Sequence, residues 1–201
     1  LHDLYVAEVF LSLDAPEAGL QYLQEQIARP AQTTVEQLSA ELALSQVLLV
    51  AGRRDEYVRL CSQRIFPAVR LAWNPANGAN PAAAAGTIGG GENLVLQMAG
   101  QLALLPLAYP EFLAGVSEEV LLETQMFWQT ERPRVTESIP GLGLDLFLRA
   151  AAVKAGNQAL VQEIESRLAA NPAVGTTLGD KSIPDFLREN RRGLRPDALW
   201  R

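Results

Sequence analysis

Cysteine and histidine each occur once in this chain of 201 residues, as Cys61 and His2. A single cysteine closes no intramolecular disulfide, so cysteine usage leaves the compartment open between cytoplasm and periplasm. One histidine and one cysteine are too few for an ordinary zinc site. A Ser-His-Asp or Cys-His arrangement would have to be built on His2, at the frayed start of the chain. Cys61 falls on the apolar side of a helical pattern, where a buried, inert thiol is expected. No catalytic residue, metal ligand or cofactor is assigned.

Long apolar runs are also missing: none reaches the roughly 18 residues of a membrane helix. The N-terminus has neither the charged head nor the small-residue cleavage site of a signal peptide. Since the chain opens at Leu1 and not at methionine, it reads as a fragment or a processed form. Positive charge is scarce, with 17 Lys and Arg against 23 Asp and Glu and a net charge of −6. That balance argues against nucleic acid as the main partner, because phosphate binding needs a concentrated positive field. Only the end of the chain reverses it, where Lys181, Arg188, Arg191, Arg192, Arg195 and Arg201 face Asp185, Glu189 and Asp197. Such a run is ordinarily a solvated surface.

Strand-type alternation is absent, and helical periodicity fills most of what remains. In "DLYVAEVFLSL" the positions Leu4, Ala7, Leu11 and Tyr5, Val9 are spaced three and four apart. "DAPEAGLQYLQEQI" restarts the pattern, with Asp14 as N-cap, Pro16 in the first turn and Leu20, Leu23 and Ile27 on one face. "VEQLSAELALSQVLLVAG" predicts a longer helix ended by Gly52, and "RRDEYVRLCSQRIFPAVRLAW" its partner. Residues 74–91, rich in Gly, Ala, Asn and Pro, predict a flexible loop. "ENLVLQMAGQLALLPLAY" predicts a central helix broken at Pro106, and Ser117 caps a helix running to Trp128. "TERPRVTESIPGLG" predicts a loop, residues 144–172 a further hairpin, and 182–193 a last short helix. The expectation is one all-α domain over 1–201, divided into hairpins at 1–73, the loop at 74–91 and further hairpins at 92–201.

The hairpins show a faint repeat. "VLLVAGRRDEYVRLCSQRI" at 47–65 and "AAAVKAGNQALVQEIESRL" at 150–168 both carry Ala-Gly at the turn and close on Ser-x-Arg followed by Ile or Leu. Gly52 and Gly156 stand 104 positions apart, about three periods of a helical-hairpin repeat. Here the chain resembles the tetratricopeptide repeat family. Leu44, Ser45, Leu48 and Gly52 match one unit, and Ala7, Leu11, Ala18, Tyr22 and Pro30 match another, over residues 1–72 and 141–172. Tyr57 departs from the pattern, standing where a small alanine is usual, and a ring there would widen the hairpin. The resemblance implies a short α-solenoid of stacked antiparallel hairpins whose concave face binds a protein or peptide. In that register Tyr5, Val9, Ser12, Leu42, Gln46 and Leu49 line the groove.

"GTIGGGEN" tests the enzymatic alternative. Gly86 and Gly91 have the spacing of a phosphate loop, but Glu92 and Asn93 stand where lysine and serine or threonine are required. A carboxylate there repels phosphate while suiting a helix start. A second expectation is a helical small-molecule or enzymatic domain with 74–91 as a lid and Arg132, Arg134 or Glu119 supplying polar contacts. Trp73 and Trp128 adjoin the loops and read first as core edges.

Overall fold

Between Leu38 and Leu49 the leucines, alanines and Val47 fall on every side of the helical wheel, with only Ser39, Glu41, Ser45 and Gln46 between them, and a helix patterned in this way must be enclosed. The computed structural model, which describes residues 2–29, 34–73, 106–136, 138–172 and 174, shows how. The described residues are all-α, with no strand among them. They belong to two units, Leu1–Ala103 and Leu104–Arg201. Among the described residues no helix is long and apolar enough to cross a membrane.

In the first unit, α1 (His2–Ser12), α2 (Pro16–Ile27) and α3 (Thr34–Val50) precede α4 (Arg54–Leu60) and α5 (Phe66–Trp73). The central helix is α3, which packs against α1 and α2 and also against α4. Its Leu38, Leu42, Ala43, Val47, Leu48 and Leu49 are buried. Full burial of each leucine is worth about 1.5–3 kcal/mol. Tyr57 on α4 is completely buried, so the ring is absorbed into the core.

Between α4 and α5 lies one π-turn, Cys61–Ile65, closed by Phe66 N–H donating to the Cys61 carbonyl. The single helix expected over 53–73 is thus interrupted. Pro67 supplies the reason: inside an α-helix its ring would press on the carbonyl four residues earlier, and the wider turn precedes it.

The hairpin turns share one construction. Gly52 N–H donates to Leu49 O at 3.2 Å and Arg53 N–H to Leu48 O at 3.0 Å. Gly156 and Asn157 repeat the pair on Val153 O and Ala152 O, at 3.1 and 2.9 Å. Both glycines have positive φ, +71° and +70°, the left-handed conformation that lets these bonds cap a helix end. The α1–α2 turn uses the same two bonds, Asp14 N–H to Leu11 O at 3.1 Å and Ala15 N–H to Phe10 O at 2.9 Å, with Asp14 at φ 52°. Asp14 therefore ends α1 and does not cap α2, whose N-cap is Ala15 without a side-chain bond. A short polar side chain tolerates the left-handed region, which explains the exchange of roles.

In the second unit a 3-10 turn (Pro106–Ala108) and α6 (Pro110–Leu113) lead to α7 (Glu118–Glu131), a 3-10 turn (Arg132–Arg134), α8 (Ser138–Lys154) and α9 (Gln158–Ala170). The Ser117 hydroxyl accepts from Val120 N–H at 3.4 Å, so the expected cap is present. The central helix is α8, buried from Gly141 through Leu148. It begins inside the segment read as a loop. Pro140 sits in its first turn, where the missing N–H costs nothing, and Gly141 is small because a Cβ there would lie 3.3 Å from the Arg132 guanidinium. Arg132 passes that point to reach Asp145, donating from Nε to Oδ1 at 2.9 Å and from Nη2 to Oδ2 at 2.6 Å. Arg167 of α9 adds two bonds to Oδ1 at 3.1 Å, so the fully buried carboxylate faces two guanidinium groups. The loop expected at 74–91, most of the helix expected at 92–109 and the short helix at 182–193 lie outside the described residues.

Candidate partner-binding surfaces

Of the six residues expected to line a groove, α1 presents three. Tyr5 is 68% and Val9 57% exposed, and Ser12 is exposed with its hydroxyl donating to the Glu8 carbonyl at 2.7 Å. Leu42 and Leu49, at 0% and 3% exposure, sit in the core of α3. Gln46 is half-buried and donates to the Ser45 hydroxyl at 3.3 Å. Enclosure of α3 by α1, α2 and α4 leaves its leucines no outward face, so Leu42 and Leu49 do not join Tyr5, Val9 and Ser12 on one surface.

The face on α1 continues into its turn. Tyr5, Val9 and Leu13 recur every four residues, which sets them in one stripe, and all three are exposed. Glu8, Asp14 and Glu17 are exposed nearby in sequence, and among the described residues only Glu17 of the three meets a base, Arg53 at 3.7 Å.

A second face lies on α7. Val120, Leu121, Thr124 and Trp128 are buried, while Leu122, Met126 and Phe127 are exposed on its outer side. The Phe127 ring stands edge-on to Trp128 with centroids 4.8 Å apart. Glu118, Glu119 and Glu123 are exposed on the same helix, and α7 contains no lysine or arginine. Leu122, Met126 and Phe127 are not among the residues expected to bind. The signal was present: apolar runs at 120–122 and 126–128 wrap further around a helix than one buried stripe requires.

The two arginines of the enzymatic alternative are paired with carboxylates of their own unit. Arg132 grips a carboxylate through two bonds, but the carboxylate is Asp145 of its own unit. Arg134 pairs with Glu131 at 3.0 Å. Glu119 lies at the opposite end of α7, about 18 Å from Glu131 along the axis. Burial pushes the Tyr57 hydroxyl and the Cys61 thiol upward and outweighs the hydrogen bond between them, which by itself would lower the thiol, so the thiol stays protonated inside the core. Comparison of the chain with protein-family models, with curated proteins and with solved structures finds no match in any of the three.

Proposed function

We propose that this chain is a non-catalytic protein-interaction module of tetratricopeptide-like construction, and that its partner is a polypeptide segment carrying both apolar and basic side chains. One observation carries the reading. The exposed large apolar side chains among the described residues are confined to α1 with its turn and to α7, in the company of exposed acids. Apolar anchors within a rim of one charge sign suit an amphipathic segment of the opposite sign, the charges steering encounter and the apolar groups supplying affinity. The shared hydrogen-bond pattern of the three hairpin turns supports a repeat built from one kind of unit.

The test uses an 18-residue amphipathic helix of leucine and lysine, fluorescently labelled, beside a leucine and glutamate counterpart. Anisotropy should rise saturably with the basic peptide, weaken in high salt and stay flat with the acidic one. The double variant Met126→Glu, Phe127→Glu should lose most of that binding while its far-UV circular dichroism is unchanged. Equal binding of both peptides, or basic-peptide binding indifferent to this variant and to Tyr5→Glu, Val9→Glu, defeats the proposal.

A further inference from the structure

The second unit distributes its positive charge unevenly. Every arginine and lysine among its described residues is already engaged: Arg132 and Arg167 on Asp145, Arg134 on Glu131, Arg149 on Glu165, and the Lys154 ammonium on the Leu113 and Val116 carbonyls. None of them serves the start of α7, where Glu118 and Glu119 are exposed and make no ion pair among the described residues. Glu119, Leu122, Glu123 and Met126 follow the three- and four-residue spacing of one helix face, and all four are exposed. The face is therefore acidic and apolar at once.

The other cations of this unit lie together at 181–201, where the sequence has six bases against three acids. Phe186, Leu187 and Leu194 are interleaved with Arg188, Arg191 and Arg192, so the stretch is basic and apolar at once. Its charge and its apolar content both complement α7. Reach permits the contact. Twelve positions separate Val174 from Phe186, which span at most about 40 Å. The helix α8 packs against both α7 and α9, and two packing distances of 8–10 Å plus a helix width bring the outer face of α7 to about 30 Å from α9.

We propose that residues 186–195 occupy the α7 face of their own chain, arginines meeting Glu118 and Glu119 while the apolar side chains cover Leu122 and Met126. This rests on the reading of α7 as a seat for a basic apolar segment, and it adds regulation to that seat. A tether sets a local concentration in the millimolar range, above what a second copy in dilute solution supplies. An outside partner must displace the segment. Occupied about nine-tenths of the time, the face would bind that partner about tenfold more weakly.

The experiment places a nitroxide on Asn190→Cys in the full chain, with methyl-labelled methionine for detection. Cys61 is buried and does not compete for the label, and the two methionines, Met98 and Met126, are told apart by Met126→Leu. The Met126 methyl signal should lose most of its intensity relative to the reduced nitroxide. It should recover in the triple variant Arg188→Glu, Arg191→Glu, Arg192→Glu, which should also bind the leucine and lysine helix about tenfold more tightly.

A Met126 signal untouched by the nitroxide overturns the proposal, as does a loss that survives the charge reversal. Loss seen only when nitroxide and labelled methionine sit on separate molecules makes a second copy the occupant and overturns it too. An untouched signal in a chain that still binds the basic helix through Met126 and Phe127 excludes the tail and leaves the α7 seat standing. A broadened, charge-dependent signal in a chain whose triple variant binds no basic helix does the reverse, keeping the tail contact and removing the outside partner.

Discussion

Arg132 and Asp145 are joined by two parallel hydrogen bonds of 2.9 and 2.6 Å, with the Asp145 carboxylate wholly buried. The Arg132 Nη1 group continues to the Val135 carbonyl at 2.8 Å, so one guanidinium pins the turn after α7 to the core of α8. Arg167 ties α9 to the same carboxylate. Asp145→Ala leaves two partly buried guanidinium groups without their shared partner and is expected to cost about 3–5 kcal/mol. Urea unfolding followed by circular dichroism measures it. A loss below 1 kcal/mol would mean that the arginines find solvent without strain and that the network adds little.

The hairpin turns offer a paired test. Gly52 holds φ +71° at no steric cost, whereas Asp14 holds φ 52° against the penalty of a Cβ. Gly52→Ala is expected to destabilise by about 1–2 kcal/mol, and Asp14→Gly to stabilise by up to about 1 kcal/mol. Thermal melts of the two variants should move in opposite directions. If both fall, Asp14 contributes a side-chain interaction that outweighs its strain.

Tyr57 and Cys61 predict an alkaline limit. Burial raises both groups, so the folded state keeps their protons where the unfolded chain releases them. Their contribution to stability is complete below the ordinary thiol value of about 8.5 and declines as pH climbs above it. The slope is about 1.4 kcal/mol per pH unit for each group, tyrosine joining near its ordinary value of about 10. Urea midpoints at increasing pH should fall more steeply above pH 10 in the wild type than in Tyr57→Phe. Parallel curves would show that Tyr57 ionises without opening the fold.

Placement of the expected groove residues is checked by stability alone. Leu42→Ala, in the core of α3, should cost about 2–5 kcal/mol. Tyr5→Glu and Val9→Glu, on the exposed stripe of α1, should stay within about 0.5 kcal/mol of wild type. Large losses at Tyr5 and Val9 would show that the α1 face is covered by the chain itself.

Local chemistry was legible where one residue type has one dominant use. Gly52, Gly156 and Ser117 occupy the turn and cap positions expected of them. Asp14 was not legible, because aspartate both caps helices and tolerates the left-handed region, and only its neighbours' hydrogen bonds decide between the two. The start of α8 was hidden for another reason: Pro140, Gly141 and Gly143 resemble loop residues, but Gly141 is small for the sake of Arg132. The exposed apolar faces were the hardest part. A leucine looks the same whether other helices cover it, as at Leu42, or leave it bare, as at Leu122, and that depends on packing between segments distant in sequence.

The π-turn at Cys61–Ile65 has a consequence for how this chain is compared with others. One wide turn advances the chain by an additional residue, about 100° of rotation, without lengthening the helical path by a full turn. Residues before and after it therefore count from different origins, and a ruler laid along 54–73 in a single phase assigns α5 to the wrong side. An alignment matching α4 to a regular helical repeat should open a one-position gap at 61–65 before scoring α5. Conversely, deleting one residue there would remove the extra count, bring α4 and α5 into one phase and leave Val69 on the interior side it now fills.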